Sequence, residues 1–272
     1  MIVDAHHHFW DPALHQYPWM DDELAAIRRP FGPADLRPLL ADNRVERTIL
    51  VQTISSLDET REFLDIAAAT DFVDGVVGWV DLTSPDVAAT IASFNNDLLV
   101  GIRHQVHDEP DPRWLLRDDV QRGIAAVGAA GLVYDLLVRT RELPAALETV
   151  RRNPDTSFVI DHCAKPRIAG GSWDAEWEQA LAPLSDEDNV VCKLSGLVTE
   201  ADWNAWTQEQ LEPYVRRVTG WFGARRCMFG SDWPVCLLAA GYDRVLRTMQ
   251  EIVGRDEWIF GLTACRIYGL ET

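Results

Sequence analysis

Short apolar segments alternate with longer amphipathic segments along the whole chain. The apolar segments are rich in Val, Ile and Leu and show little polar alternation, which is typical of parallel strands buried on both faces. We predict eight such strands, at residues 2–8, 48–53, 75–82, 99–106, 132–138, 157–162, 190–194 and 227–230.

Helical periodicity and helix-start signals lie between these strands. Proline falls in a predicted first turn at Pro33 and Pro85, and Ser56 precedes acidic residues. We predict helices at residues 33–43, 56–70, 84–95, 113–130, 142–152, 174–184, 201–222 and 242–253, with a short one at 256–270. The alternation predicts an α/β protein with a single-domain (β/α)8 (TIM) barrel over residues 1–272. A doubly wound open sheet is the alternative, but no Gly-x-Gly-x-x-Gly follows the first strand.

The charge balance disfavours two kinds of partner. The chain has 43 acidic and 25 basic residues and a formal net charge of −18, which argues against nucleic acid and against an anionic membrane surface. No apolar segment approaches the roughly 20 residues of a membrane span. The first residues do not form a secretory signal, so we expect a cytoplasmic protein that acts on a small molecule. Self-association is left open.

The first predicted strand ends in the sequence Asp-Ala-His-His-His at residues 4–8. Residues two apart share a face of a strand, so His6 and His8 should point together into the barrel mouth, with Asp4 below them. Two imidazoles there could bind a divalent metal or hydrogen-bond a substrate oxygen. His7 should face outward, toward a helix.

Polar residues also end the sixth and eighth predicted strands. We expect only one of Asp161 and His162 to face inward, and we favour His162. Lys165 follows on the loop and could hold a carboxylate or hydroxyl group of a substrate. Asp232 could ligate a metal or take a proton from water, although a helix N-cap is its alternative role.

Charged residues inside strands need partners. Arg103 should pair with Asp4 or polarise a substrate carbonyl, and His104 is a second candidate for substrate binding. Asp135 and Lys193 could simply pair with each other or with neighbours in the barrel core.

Aromatic residues mark the predicted loops at the strand ends. Trp10, Trp19 and Trp233 could stack on the apolar face of a sugar or on a flat ring. Residues 9–32 form the longest irregular segment, and a segment of that length in a compact domain is more often functional than idle.

Together these motifs resemble the amidohydrolase superfamily, in its amidohydrolase-2, lactonase-like branch. The resemblance spans nearly the whole chain, at residues 4–11, 101–104, 160–166, 193–196, 230–234 and 263–270. It implies a (β/α)8 barrel that hydrolyses a lactone, foremost a sugar lactone such as L-fucono- or L-rhamnono-lactone. Muconolactone or pyrone hydrolysis, metal-dependent decarboxylation of an aromatic or unsaturated acid, and binding of sugar acids without turnover are the alternatives.

The resemblance also assigns roles to the candidate residues. It implies Asp232 and His162 as catalytic residues and His6, His8 and Asp232 as metal ligands. For substrate binding we expect Arg103, His104, Lys165, Trp10 and Trp233. The fifth predicted strand lacks the histidine that many superfamily members use as a further ligand, so we expect one Zn²⁺ at most. Some relatives of this kind need no metal, so the ion could be dispensable.

Overall fold

The eight predicted strands form one parallel sheet in the computed structural model, which describes residues 1–271. They are β1 Val3–His7, β2 Arg47–Val51, β3 Val73–Gly78, β4 Leu99–His104, β5 Val133–Leu136, β6 Phe158–Ile160, β7 Val190–Leu194 and β8 Cys227–Phe229. Each strand pairs with its neighbours in chain order. A parallel bridge between His7 and Trp233 joins β1 to the segment that follows β8, and His8 N donates to Trp233 O at 2.7 Å. The predicted TIM barrel is therefore confirmed.

Helices surround this barrel in the order that the sequence predicts. They are α1 Pro33–Asn43, α2 Leu57–Ala68, α3 Val87–Phe94, α4 Asp118–Ala129, α5 Leu143–Arg152, α6 Ala175–Leu181, α7 Leu197–Glu200, α8 Gln208–Phe222, α9 Tyr242–Val253 and α10 Thr263–Tyr268. The bounds of α1 and α9 are those predicted. The prediction for residues 201–222 was too long, because a capping box of Thr207 and Gln210 starts α8. No helix within residues 1–271 has the length and apolar character that crossing a bilayer requires.

Seven of the eight predicted strands were too long at their carboxyl ends, and β7 has the predicted bounds. β6 ends at Ile160, two residues earlier than predicted, and β3 ends at Gly78. The polar ends of the apolar segments belong to the loops of the barrel mouth, where their side chains leave the regular alternation of a strand. This shortening places the functional candidates at the top of the barrel.

A bulge in β1 decides the direction of its side chains. Pairing with β2 is irregular between Asp4 and His7. Ala5 is buried in an apolar cluster inside the barrel, to which most of the strands contribute. Its neighbour His6 also faces the barrel interior, where it contacts the charged side chains of Arg103 and Lys193. Asp4 is buried, and its carboxylate accepts hydrogen bonds from His6 N at 3.2 Å, from Ser231 N at 2.8 Å and from the Tyr242 hydroxyl at 3.0 Å.

Candidate active site

Four polar side chains from three strand ends converge at the barrel mouth. His6 Nε2 and His8 Nε2 are 3.2 Å apart. Asp232 Oδ1 lies 3.4 Å from His8 Nε2, 3.8 Å from His6 Nε2 and 3.9 Å from His162 Nε2. All four residues are buried. The sequence predicted this set of residues, and the structure brings them together.

Left-handed backbone turns aim two of these residues into the barrel. Asp232 has φ 57°, and the four residues from His162 to Lys165 have φ between 51° and 57°. The turn after β6 lets both Asp161 and His162 face the site, so the expectation that only one could do so was wrong. Strand alternation had predicted a single inward residue, but alternation ends with the strand at Ile160. His162 is fixed further by Ser195, whose Oγ lies 2.8 Å from its Nδ1.

The site has the ligand chemistry of a zinc centre. His8 Nδ1 lies 2.7 Å from the carbonyl oxygen of Val51, which can only accept, so Nδ1 carries the proton and Nε2 presents a lone pair. Ligands 2.0–2.1 Å from a tetrahedral zinc are about 3.3 Å apart. His6, His8 and Asp232 offer ligand atoms 3.2 to 3.8 Å apart. These three residues therefore fit one divalent ion.

Arg103 reaches the same point from β4. Its Nη1 lies 2.9 Å from Asp161 Oδ2 and 3.2 Å from His6 Nε2, and its Nη2 donates to the backbone oxygen of Gln52. Asp161 is thus the acidic partner of Arg103. Of the two roles that the sequence left open for Arg103, pairing with Asp4 was wrong, and polarising a substrate carbonyl stays a prediction. The prediction that Asp135 and Lys193 could pair is confirmed, with Lys193 Nζ 2.6 Å from Asp135 Oδ2.

Burial and neighbouring charges set the protonation of the site. Burial lowers the pKa of His6 and of His162 well below the ordinary value, and it also lowers that of His8. Burial would raise the pKa of Asp232, but His162 and His8 outweigh it, and the pKa lies below the ordinary value. For Asp161, the raising effect of burial is outweighed by Lys193, by His6 and by Arg103. At neutral pH the site holds neutral imidazoles and ionised carboxylates.

A cavity of about 160 Å³ opens above these residues. Its walls are formed by His8, Trp19, Thr53, Arg103, Gln105, His107, Asp108, Leu137, His162, Lys165, Asp232 and Val235. Among the predicted substrate-binding residues, Arg103 and Lys165 line it. Lys165 also pairs with Glu200, with 2.9 Å between Nζ and Oε1.

Of the three tryptophans that could stack on a substrate, Trp19 lines the cavity, whereas Trp10 and Trp233 do not. Trp10 is buried, and its Nε1 donates to the carbonyl oxygen of Ile27 at 3.1 Å. Trp233 is buried against Phe9 and Phe31, with ring centroids 6.2 and 5.3 Å apart. Both indoles pack the long segment after β1 onto the barrel mouth, because their large apolar surfaces are buried there.

His104 is also turned away from the cavity. Its Nδ1 accepts from Trp79 Nε1 at 3.0 Å, and its Nε2 lies 2.8 Å from Glu109 Oε1. Its ring stacks on Trp114 at 4.3 Å. Both ring nitrogens are therefore occupied, which does not fit the predicted contact with a substrate.

The sequence analysis missed several residues of the cavity wall. Gln105 and His107 line it together with Arg103, but they lie after β4, which ends at His104, and His107 belongs to a short 3-10 helix. Extending the strand alternation from Arg103 would have found both. Trp19 was not missed, because the sequence analysis named it among the aromatic residues that could stack on a ring, and it does line the cavity. Asp161 was not expected to face inward, because no sequence signal marks the left-handed turn that follows it.

Comparisons with known proteins agree with this site. The sequence profile of the family described as Amidohydrolase (Amidohydro_2) matches residues 3–270. The chain is 44% identical over 279 residues to the L-fucono-1,5-lactonase of Burkholderia ambifaria, covering 99% of this chain and 96% of that protein. It is 38% identical over 283 residues to the L-fucono-1,5-lactonase of Burkholderia multivorans, covering 98% and 96%.

The fold is also that of a relative whose crystal structure is known. An amidohydrolase from Burkholderia multivorans with bound zinc superposes with a TM-score of 0.95 at 36% identity, covering 100% of both chains. The match of the family profile to almost the whole chain shows that this protein belongs to the amidohydrolase family.

Proposed function

We propose that this protein hydrolyses a small sugar lactone to its open-chain acid, and that L-fucono-1,5-lactone or a closely similar sugar lactone is the substrate. The observation that carries this proposal is the convergence of three imidazoles, Asp232 and Arg103 at the floor of one small cavity. Two relatives that share 38% and 44% of their residues with this chain are L-fucono-1,5-lactonases, which supports the choice of substrate.

In the mechanism that we propose, Asp232 is the general base. Its carboxylate is ionised and lies next to His8 and His162, where a water can be held between them. Asp232 takes a proton from this water, whose oxygen attacks the lactone carbonyl. His162, held by Ser195, orients the water. When the C–O bond breaks, the proton that Asp232 took passes to the ring oxygen, which gives the open-chain acid and leaves Asp232 ionised again.

Arg103 stabilises the negative charge that develops on the carbonyl oxygen. Its guanidinium is held by Asp161 and by the backbone oxygen of Gln52, so it is oriented before the substrate arrives. A preorganised donor of this kind typically contributes about 3–4 kcal/mol to a transition state. A divalent ion bound by His6, His8 and Asp232 would act as a Lewis acid toward the same oxygen.

The cavity walls match a neutral, hydroxylated ring. Gln105, His107, Asp108 and Lys165 are polar, whereas Trp19, Leu137 and Val235 form apolar parts of the wall. The volume of about 160 Å³ lies below the range of about 300–1,000 Å³ typical of sites for drug-sized ligands, which favours a substrate with one ring.

A lactone panel tests the proposal through the release of acid, followed with a pH indicator. We expect turnover of L-fucono-1,5-lactone and a fall in kcat of about 10²–10⁴-fold in Asp232→Asn, since general bases contribute about that much. Asp97→Asn is the control, because Asp97 is exposed and precedes β4 at the opposite end of the barrel. Full activity of Asp232→Asn would contradict its role. If the protein released CO₂ from aromatic acids and hydrolysed no lactone, it would be a decarboxylase and not the proposed lactonase.

Two expectations about the whole protein stay proposals. We propose a cytoplasmic location, which fractionation of the source cells would test. Self-association into a homo-oligomer is also proposed, and sedimentation of the purified protein would decide it.

A further inference from the structure

The inner nitrogen of His6 has two neighbours of opposite character. Its Nδ1 lies 3.3 Å from Lys193 Nζ, which can only donate, and 3.3 Å from Asp161 Oδ1, which as a carboxylate oxygen can only accept. All three side chains are fully buried. Among the described residues, Asp161 Oδ1 receives no well-aligned hydrogen bond, so it has a free acceptor position for a proton on His6 Nδ1.

The outer nitrogen of His6 has the same pair of options. Its Nε2 lies 3.2 Å from Arg103 Nη1, which donates, and 3.2 Å from His8 Nε2. The proton of His8 is on Nδ1, directed at the carbonyl oxygen of Val51, so His8 Nε2 accepts. A neutral His6 therefore finds partners on both sides in either tautomer.

The two tautomers differ in what they offer to a metal ion. With the proton on Nδ1, His6 donates to Asp161 and turns a lone pair toward His8 and Asp232. With the proton on Nε2, His6 donates to His8 and accepts from Lys193, and it has no lone pair directed at a shared ion. Two imidazole lone pairs that face each other at 3.2 Å repel unless a cation lies between them.

We propose that Asp161 and Lys193 are positioning residues that each hold one tautomer of His6, so that the site keeps its geometry with and without a divalent ion. Binding of the ion by His6, His8 and Asp232 selects the form with the proton on Nδ1. The imidazole stays neutral throughout, since one proton leaves Nε2 while another is taken up at Nδ1. This inference rests on the proposed metal site and is independent of which lactone is hydrolysed.

The free-energy cost of burying these charged side chains supports a functional role for Asp161. Lys193, Asp135, Asp161 and Arg103 are all buried in the barrel interior, where taking each ion out of water costs several kcal/mol before pairing. Asp135 is enough to pair with Lys193, at 2.6 Å. Asp161 adds a second carboxylate 3.1 Å from the same ammonium group and is the one that contacts His6 and Arg103.

Nitrogen NMR of the wild-type protein tests the tautomers directly. The full-length protein is labelled with ¹⁵N-histidine, depleted of metal with a chelator or loaded with one equivalent of Zn²⁺, and the His6 signals are assigned with His6→Asn. We expect a proton on Nε2 in the metal-depleted protein and on Nδ1 in the zinc-loaded protein. The same tautomer in both samples would overturn the proposal, whether or not any lactone is hydrolysed.

Two matched variants test whether Asp161 positions His6 for metal binding or only stabilises the fold. Asp161→Asn should weaken zinc binding by about 10–100-fold, as loss of a carboxylate behind a histidine ligand typically does. Asp135→Asn is the control, because Asp135 is equally buried and shares Lys193 but is not in contact with His6. We expect its zinc affinity, measured by competition with a chelating dye, to be unchanged. Equal losses of zinc affinity in both variants, or no loss in Asp161→Asn, would contradict the proposal. If either variant fails to fold, the NMR spectra of the wild-type protein decide.

Discussion

At the scale of single residues, burial largely determines the protonation states of the side chains at the barrel mouth. His6, His8 and His162 have little contact with solvent, so each resists taking up a proton. Asp232 stays ionised, because its pKa lies below the ordinary carboxyl value although burial alone would raise it. A general base that stays ionised beside neutral imidazoles keeps its protonation state over a wide range of pH.

The pH dependence of activity follows from these shifts. The pKa values of His6 and His162 lie well below the ordinary histidine value of about 6.5, so protonation of these two rings, and the loss of activity that it causes, begins only at low pH. We expect kcat/KM for the lactone to be constant between about pH 6 and 8, measured in buffers of equal ionic strength. An inflection near the ordinary histidine value would show that one imidazole titrates freely and would contradict this description of the site.

At the scale of elements, the loops after the strands do the positioning. His8, His162 and Asp232 follow short strands, whereas His6 and Arg103 lie near the ends of β1 and β4. The close packing of the segment after β8 against β1 depends on Gly230. A β-carbon at this position would lie 2.6 Å from His6 Cβ and 3.1 Å from Ser195 Cβ. The absence of a side chain there lets His6 occupy its place in the site.

Gly230→Ala should therefore damage both stability and activity. We expect a loss of about 1–3 kcal/mol in the free energy of unfolding, as is usual for overpacking, and a lower kcat/KM because His6 is displaced. Gly220→Ala in α8 is the control, since a β-carbon there meets no heavy atom of the described residues within 4 Å. Urea denaturation of both variants makes the comparison. A stable, fully active Gly230→Ala would show that His6 tolerates the displacement.

The start of α2 is tied to the loop after β2 by Glu59. Its buried carboxylate accepts from Thr53 N at 2.9 Å and from Ile54 N at 3.1 Å. Burial nevertheless raises the pKa of Glu59 to about 7, from 4.5 in the unfolded chain. The folded protein therefore binds an extra proton between these values, and stability from this group is lost as the pH rises through about 7.

Glu59→Gln should remove this dependence. Between about pH 5 and 7 the wild-type free energy of unfolding should fall by at most about 3 kcal/mol through this group, and the fall should be absent in the variant. The amide oxygen can still accept from both backbone groups. Denaturation at several pH values is the measurement, with the exposed Glu251→Gln as control. An unchanged slope in Glu59→Gln would assign the dependence to other groups.

At the scale of the whole molecule, the C-terminal helix reaches the charges of the barrel interior. The Tyr268 hydroxyl of α10 donates to Asp135, at 3.0 Å from Oδ2 and 3.1 Å from Oδ1. Asp135 in turn pairs with Lys193, which contacts the inner side of His6. The end of the chain thus stabilises the base of the barrel below the site.

Tyr268→Phe tests whether this contact acts on stability alone. Loss of a hydrogen bond to a charged group should cost about 1.5–3 kcal/mol of unfolding free energy. We expect kcat/KM to be unchanged, because Asp135 pairs with Lys193 whether or not the hydroxyl is present. The thermal transition and the lactone assay are measured on the same samples. A large fall in kcat/KM in a stable variant would mean that the helix also tunes the site.

Much of this protein can be predicted from the sequence because strand periodicity and polar strand ends are local signals. They predicted the barrel and the four residues His6, His8, His162 and Asp232, since in a barrel the carboxyl ends of all the strands lie at the same end. The directions of Asp4, Asp161, Trp10, His104 and Trp233 were decided by the tertiary structure. A bulge in β1, left-handed turns after strands and competition for buried partners set these directions, and each depends on contacts between residues far apart in the chain.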